Sequence, residues 1–197
     1  MKIIGITGGI GSGKTAVLDI MQRDYGAFIM EADALAHRLM LPGQTSYNDI
    51  VEHFRRDILA PDGSIDRTKL SAVVFSDKEQ LDILNSITHP NVKKAILESM
   101  EEQRRLGCRL YVLEAALLIQ DGYLDICDEM WYVYADISKR IERLCAYRGF
   151  TEEKARKVIA SQEPDSYYET NCKKKIDNSG NLEELRNQLK FAMEIER

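Results

Sequence analysis

Short apolar runs alternate with longer segments of helical periodicity along most of this chain. The apolar runs lie at residues 2–7, 26–30, 108–114, 128–134 and, more weakly, 173–178. Continuous runs of this length are typical of buried strands in a parallel sheet, whereas residues 16–21 repeat their apolar positions at helical spacing. The pattern predicts an α/β protein with three layers, in which helices cover a parallel sheet.

A long block without strand-like runs separates the second predicted strand from the third. Helical spacing is present at residues 34–40, 46–54 and 65–70, and capping-box spacing at residues 76–79 precedes a further helix. We expect residues 88–90, Thr-His-Pro, to precede one more long helix that ends near Arg105. The block is too long for a plain crossover connection, so we interpret residues 32–106 as an inserted helical subdomain.

The connection between the first strand and the first helix carries the most specific motif. Residues 8–15 read Gly-Gly-Ile-Gly-Ser-Gly-Lys-Thr, which is the spacing of a phosphate-binding loop in its required strand-to-helix context. The glycines let backbone N–H groups point at an anion, and the helix adds the positive end of its dipole. Lys14 would reach the outer phosphates and Thr15 would bind Mg²⁺. The alternative is a glycine turn that binds nothing.

Carboxylates follow two of the predicted strands. Ligands of open parallel sheets lie outside the carboxyl ends of the strands, so Asp33 is a candidate to orient or deprotonate an attacking hydroxyl. The alternative is that Asp33 only caps the helix that begins there. Glu114 ends the third strand, where phosphate-binding-loop proteins place a carboxylate beside Mg²⁺. Its alternative is an ordinary acid at the end of a strand.

Arginines are concentrated in the helical segment after the fourth predicted strand. Arg140, Arg143 and Arg148 belong to residues 138–167, which we interpret as a helical lid that is interrupted at Pro164. An arginine that points into a phosphoryl-transfer site can raise the rate on the order of 10³-fold or more. We expect one of the three to be catalytic. The alternative is a solvated charged helix, because acidic residues are interleaved with the basic ones.

Composition narrows the class of protein. The chain has 197 residues and a net charge of −5, which argues against a broad nucleic-acid surface, although local basic clusters remain possible. Its four cysteines are far apart, so neither a zinc site nor a disulfide framework is expected, and a cytoplasmic protein is the default. We expect no signal peptide and no membrane span.

The three lysines at 173–175 are interpreted as a solvated face.

Landmarks along nearly the whole chain resemble the dephospho-coenzyme A kinase family, which phosphorylates the ribose 3′-hydroxyl of dephospho-CoA with ATP. These landmarks are residues 7–15, 31–33, 42–43, 62–67, 88–90 and 176–180. The resemblance implies a P-loop kinase fold with a nucleotide-binding core at 1–31, 107–137 and 168–197, a helical acceptor-binding insertion at 32–106 and a lid at 138–167. It also implies ATP, Mg²⁺ and dephospho-CoA as small-molecule ligands, with no obligatory protein partner.

The resemblance assigns roles to individual residues. The implied nucleotide-binding residues are Gly11, Ser12, Gly13, Lys14, Thr15 and Ala16 at the phosphates, and Asn178, Ser179 and Gly180 on the adenine side. The implied catalytic residues are Lys14, Asp33 and Arg140. The implied acceptor-binding residues are Asp33, His89 and Leu117, and the implied metal-binding residues are Thr15 and, through water, Glu114.

The chain departs from the family pattern at several of these landmarks. Glu31 replaces the first residue of Asp-Ala-Asp, and residues 114–120 read Glu-Ala-Ala-Leu-Leu-Ile-Gln in place of Asp-x-Pro-Leu-Leu-Phe-Glu. These changes affect the acceptor side and the turnover rate more than ATP binding. The alternatives are a catalytically weakened nucleotide- or CoA-binding protein, a kinase for another small acceptor, or a nucleotide-dependent switch. A GTPase switch would need an Asn-Lys-x-Asp motif, which the sequence lacks.

Overall fold

A parallel sheet organises the structure, a computed structural model that describes residues 1–194. Within those residues the sheet has five strands in the order β2-β3-β1-β4-β5. The strands are β1 (Lys2–Thr7), β2 (Phe28–Glu31), β3 (Leu110–Glu114), β4 (Glu129–Tyr134) and β5 (Lys174–Asp177). The α/β class and the parallel sheet predicted from the apolar runs are confirmed.

Helices make up most of the remaining described chain. They are α1 (Lys14–Tyr25), α2 (Ala32–Leu39), α3 (Thr45–Phe54), α4 (Arg67–Ser76), α5 (Lys78–Arg105), α6 (Ile137–Arg148), α7 (Glu152–Ala160), α8 (Asp165–Asn171) and α9 (Leu182–Glu194), with a 3-10 turn at Arg55–Ile58. No helix within residues 1–194 combines the length and the apolar character needed to cross a membrane.

The chain forms two compact units. The first, here called the sheet unit, contains Met1–Met30 and the chain from Leu106 onward. The second, the helical unit, is Glu31–Arg105. The sheet unit is therefore made from two separate stretches of sequence, and the helical unit is inserted between them.

The core of the sheet unit follows from the apolar strands. Ile4, Ile6, Val112 and Trp131 are fully buried, and α1 and α9 cover them with residues such as Leu189. At about 25 cal/mol for each Å² of apolar surface removed from water, each such side chain contributes roughly 1.5–3 kcal/mol. β1 lies between β3 and β4 in this core. The loop that follows β1 is consequently carried by the middle strand of the sheet.

A smaller apolar cluster joins α6 and α7 within the sheet unit. Ile141 and Leu144 of α6 pack against Ala155 and Ile159 of α7. Ile10, from the loop after β1, packs against the same cluster. The arginine-bearing helices are therefore held to the loop by apolar contact as well as by polar groups.

The helical unit has a core of its own. Its buried residues are Ile50, Phe54, Ile58, Leu70 and Val74. The first half of α5 adds Leu81, Leu84 and Ile87 to this cluster as partly buried side chains. The helical unit thus encloses an apolar cluster between α3, α4 and α5.

The middle of α5 differs from the sequence prediction. The prediction of a new helix after residues 88–90 is wrong, because one helix runs from Lys78 to Arg105 with Pro90 inside it. Asp77 starts the helix by accepting a hydrogen bond from the Glu79 N–H at 2.9 Å. An internal proline costs a helix about 3 kcal/mol. Burial of the apolar residues before Pro90 against the α3 and α4 cluster offsets that cost.

The lysines at 173–175 also differ from their interpretation as a solvated face. Lys173 donates a hydrogen bond to buried Glu129 at the start of β4, and Lys174 lies 3.5 Å from the same carboxylate. The Lys174 side chain is only 16% exposed and its Nζ lies 4.9 Å from the centre of the Trp131 ring. Lys2 adds a third cation 3.5 Å from Glu129. The solvated-face interpretation is therefore wrong for Lys174, whereas the side chains of Lys173 and Lys175 are 63% and 42% exposed.

Glu129 is held in its charged form by this environment. Burial alone would raise the pKa of Glu129, but hydrogen bonds from Lys173 and Trp131, together with the charges of Lys174 and Lys2, lower the pKa to about 2. A carboxyl pKa that is lower in the folded than in the unfolded chain stabilises the fold at neutral pH.

We expect Glu129→Gln to lower the free energy of unfolding at pH 7 by about 3 kcal/mol, since the pKa falls from 4.5 to about 2 and one pKa unit corresponds to about 1.4 kcal/mol. The stabilisation is complete above the ordinary carboxyl pKa of 4.5 and is lost as the pH falls toward 2. Urea unfolding between pH 7 and pH 3 measures the difference in free energy of unfolding between wild type and Glu129→Gln. Glu102→Gln, at an exposed site, is the control. A difference from wild type that stays constant between pH 5 and pH 3 would contradict this role.

Candidate phosphate-binding site

The loop after β1 has a backbone conformation that depends on its glycines. Gly11 and Gly13 have φ values of 78° and 88°, in the left-handed region that favours glycine. A Cβ atom built on Gly13 would lie 2.1 Å from Nδ2 of Asn178. Gly13 is therefore required both for its backbone angle and for the close approach of Asn178.

Side chains from outside the loop bind its carbonyl oxygens. Asn178 Nδ2 donates to the Ser12 carbonyl at 2.8 Å, and Arg143 Nη1 donates to the same oxygen at 3.1 Å. Arg143 Nη2 also donates to the Asn178 carbonyl at 2.7 Å, which ties the two side chains together. In a trans peptide the C=O and the next N–H point in opposite directions. Holding the Ser12 carbonyl outward therefore directs the Gly13 N–H to the other side of the loop.

The loop keeps donors available for an anion. The N–H groups of Gly13 and Thr15 have no acceptor among residues 1–194, and the Ala16 N–H closes the first turn of α1 on the Gly13 carbonyl. Ser12 is 1% exposed, and its hydroxyl has no hydrogen-bond partner in the described part of the chain. Unpaired buried donors carry a free-energy cost that a bound anion removes. This arrangement suits a phosphate group.

Lys14 and Glu114 meet beside the loop. Lys14 Nζ donates to the Gly8 carbonyl at 2.9 Å and lies 3.6 Å from Glu114 Oε1. Glu114 ends β3 opposite Ile6 of β1 and is 8% exposed. The strand-end carboxylate predicted from the sequence is thus adjacent to the loop lysine.

Arg140 is a buried cation held by neutral partners. It is 9% exposed, and its Nε donates to the Ile10 carbonyl at 2.9 Å while Nη2 donates to Gln162 Oε1 at 2.6 Å. No carboxylate among residues 1–194 lies within ion-pair distance of it. A buried charge without a counter-charge is costly. Arg140 consequently favours an anion near residues 9–11 of the loop.

The three candidate arginines have different environments. Arg140 and Arg143 both contact the loop, whereas Arg148 is exposed at the end of α6. Arg143 uses its guanidinium on the backbone carbonyls of Gly11, Ser12 and Asn178. Arg143 therefore supports the loop backbone, and Arg140 is the more deeply buried of the two arginines that contact the loop.

Two contacts of the loop have no signal in the sequence. Gln162 follows α7 and its Oε1 accepts a hydrogen bond from the Ile10 N–H at 2.9 Å as well as from Arg140. Asn178 supports the loop, whereas the sequence indicated only a place on the adenine side. Gln162 lies 152 residues from Ile10, and Asn178 lies 166 residues from Ser12. No local spacing rule reaches across such separations.

The residues after β5 form a compact turn. Ser179 Oγ donates to Asp177 Oδ1 at 2.6 Å and accepts from the Asp136 N–H at 2.9 Å. A Cβ atom on Gly180 would lie 1.7 Å from Oε2 of Glu184, so Gly180 packs closely against α9. Through Ser179, this turn after β5 forms a hydrogen bond with Asp136, the residue that precedes α6.

The donors around the loop fit a nucleotide-bound Mg²⁺. Thr15 presents an exposed hydroxyl, and Glu114 supplies a carboxylate beside Lys14. The described residues contain no group of three His, Cys, Asp or Glu side chains that could hold a metal by themselves. Mg²⁺ on nucleotides keeps several waters and takes phosphate oxygens as ligands, so one hydroxyl and one water-linked carboxylate are sufficient.

The predicted acceptor-side residues lie in both units. Asp33 and His89 belong to the helical unit and are exposed, in the first turn of α2 and within α5. Leu117 belongs to the sheet unit, follows β3 and is 52% exposed. The N-cap of α2 is Glu31, and no side chain caps that helix. Asp33 therefore does not cap α2 through a side-chain hydrogen bond.

Comparisons with known proteins agree on one family. A family model described as dephospho-CoA kinase matches residues 2–184. The dephospho-CoA kinase of Carboxydothermus hydrogenoformans is 39% identical over 189 residues, which cover 96% of this chain and 91% of that protein. The crystal structure of TT1252 from Thermus thermophilus is 31% identical, with a TM-score of 0.82 over 100% of this chain and 98% of that one. The dephospho-CoA kinase from Campylobacter jejuni is 25% identical, with a TM-score of 0.72 over 99% and 98% of the two chains.

We expect Asn178→Asp to lower the free energy of unfolding by about 1–3 kcal/mol, because a carboxylate cannot donate to the Ser12 and Gly13 carbonyls and would face them instead. Urea unfolding measures the change. Asn187→Asp, an exposed amide-to-acid change in α9, is the matched control and should change the stability by less than about 0.5 kcal/mol. Equal effects of the two variants would show that Asn178 does not support the loop.

Proposed function

The chain belongs to the dephospho-CoA kinase family, and from this we propose that it transfers the γ-phosphoryl group of ATP to the ribose 3′-hydroxyl of dephospho-CoA. The products are CoA and ADP, and the reaction is the last step of coenzyme A biosynthesis. The observation that carries the proposal is the phosphate-binding loop with Lys14 and Arg140 beside it, in a chain whose family match spans residues 2–184.

The nucleotide is bound at the loop. Residues 11–16 and the start of α1 hold the phosphates, with the N–H groups of Gly13 and Thr15 as donors, and Lys14 and Arg140 neutralise charge on them as the bond to the γ-phosphorus is exchanged. The turn at residues 178–180 is assigned to the adenine side. Thr15 and, through water, Glu114 would hold Mg²⁺, which supplies further positive charge at the phosphates when bound.

The acceptor is assigned to the remaining candidate residues. Asp33 orients the 3′-hydroxyl for in-line attack and accepts its proton, while His89 and Leu117 contact dephospho-CoA. Residues 32–106 form the acceptor-binding insertion, residues 138–167 the lid, and residues 1–31, 107–137 and 168–197 the nucleotide-binding core. Support for the role of Asp33 comes from its position in the first turn of α2, where its carboxylate has no hydrogen bond or ion pair to any residue from 1 to 194.

We also propose a cytoplasmic location and small-molecule substrates, with no obligatory protein partner. All four cysteines are free thiols, as is usual in a reducing compartment. The net charge of −5 disfavours nucleic acid as a partner.

We expect the purified protein to convert ATP and dephospho-CoA to equal amounts of ADP and CoA in the presence of Mg²⁺. Lys14→Ala should lower kcat/KM by about 10²–10³-fold, since one preorganised donor contributes about 2.7–4 kcal/mol to the transition state. Lys94→Ala, which removes an exposed lysine of α5, is the control. Coupled measurement of both products is essential. ADP without CoA would assign a different acceptor, and nucleotide binding without either product would favour a binding protein.

A second variant tests the proposed role of Asp33. Asp33→Asn should fold normally and bind ATP with unchanged affinity, because it alters only an exposed carboxylate. Its kcat should fall about 10²–10⁴-fold, the usual contribution of a positioned general base. Asp82→Asn, which makes the same change at another exposed position, on α5, is the matched control. Full activity of Asp33→Asn in the same assay would remove Asp33 from the mechanism.

A further inference from the structure

One amide oxygen connects the loop to the buried arginine. Gln162 Oε1 accepts hydrogen bonds from the Ile10 N–H at 2.9 Å and from Arg140 Nη2 at 2.6 Å. Arg140 Nε in turn donates to the Ile10 carbonyl at 2.9 Å. The three residues therefore form a closed ring of hydrogen bonds. Rotation of the guanidinium away from the loop would break two of these bonds.

The space around this ring leaves the guanidinium little freedom. A Cβ atom on Gly9 would lie 2.2 Å from Arg140 Nη2 and 2.9 Å from Gln162 Oε1. The arginine is thus in close contact with the loop backbone. Ile10 is also anchored by packing against the apolar cluster of α6 and α7.

The backbone of Gln162 is fixed on both sides. Its N–H donates to the Ile159 carbonyl at 3.2 Å at the end of α7. Three residues later, Asp165 accepts a hydrogen bond at 2.6 Å from the hydroxyl of Tyr132 in β4. The Tyr132 ring stacks on Tyr168 of α8 with 4.7 Å between ring centres. Gln162 therefore lies in a short connection that is anchored to the sheet.

The charge of the acceptor that binds the Arg140 guanidinium decides whether the arginine can still attract an anion. A carboxylate at this position would hold the guanidinium equally well but would also neutralise its charge. An amide oxygen supplies the hydrogen bond without a counter-charge. The cation then stays in place while its charge remains available to an anionic ligand.

We propose that Gln162 is a positioning residue for phosphoryl transfer, which holds the charged guanidinium of Arg140 against the phosphate-binding loop through a neutral acceptor. This proposal rests on the proposed function for its substrates. It adds that the connection between α7 and α8 must be in place before Arg140 can act on the phosphates. Gln162 itself acts through Arg140 and the loop.

Replacement of Gln162 by residues of similar size tests the proposal. Gln162→Met keeps the length of the side chain but removes the acceptor, and we expect kcat/KM to fall about 10–100-fold, the range found when residues that orient metal ligands are replaced. Gln162→Glu keeps an acceptor oxygen and adds charge, so we expect a larger rise in the KM for ATP than in the Met variant. Ser161→Ala, the neighbouring residue whose hydroxyl bonds only within α7, is the control and should retain wild-type kinetics.

A double-mutant cycle with Arg140→Ala separates positioning from general destabilisation. If Gln162 acts through Arg140, Gln162→Met should cost less than about 3-fold in kcat/KM when Arg140 is already alanine. Thermal unfolding of all variants identifies any loss of folded protein. Wild-type activity of Gln162→Met, full additivity of the two losses, or unchanged ATP kinetics in Gln162→Glu would each overturn the proposal.

The same cycle distinguishes this proposal from the proposed function. If the wild-type protein does not phosphorylate dephospho-CoA, the proposed function fails, and the cycle is then measured on the Kd for ATP by titration calorimetry. Coupling between residues 140 and 162 in that Kd would still support the positioning role. Independent effects on the Kd would overturn it.

Discussion

The phosphate-binding loop keeps its anion-facing conformation because its carbonyl oxygens are bound from the opposite side. A loop of this kind has to orient several peptide groups alike, which an isolated chain would not do. Asn178 and Arg143 bind the Ser12 carbonyl, and Arg140 binds the Ile10 carbonyl. Their positions follow from the strand order, because β1 lies beside β4 and β4 lies beside β5. The site therefore depends on the assembled sheet.

Lys14 and Arg140, two of the cations that contact the loop, have different partners. Lys14 lies 3.6 Å from Glu114, so part of its charge is compensated before any ligand arrives. Arg140 has neutral hydrogen-bond acceptors only, and it is buried. At low effective dielectric, an uncompensated charge attracts an anion more strongly than one that already has a partner. Arg143 also has neutral acceptors only but is less buried, so we propose Arg140 as the arginine of α6 that contacts phosphate directly.

Local patterns were sufficient for the fold class and for the centre of the site. The apolar runs identified the strands, and residues 8–15 identified the loop, because both are encoded by neighbouring residues. The prediction for α5 was wrong because a rule about Pro90 was applied without the packing of the residues before it. The clustering of Lys173 and Lys174 around Glu129 was missed because the partner lies more than 40 residues away. The contact of Gln162 with the loop was missed for the same reason, because its partner Ile10 lies 152 residues away.

The departures from the family pattern after β3 can be judged from their contacts. Glu114 reaches Lys14 from a buried strand end, so the longer side chain remains directed at the loop. Ala116 takes part through its backbone carbonyl, which accepts a hydrogen bond from Thr7 Oγ1 at 3.3 Å. Proline would supply the same carbonyl, so this contact does not require the missing ring. Gln120 is exposed, where the loss of one charge changes local energies by less than about 1 kcal/mol. None of these three substitutions removes a contact that holds the phosphate-binding loop.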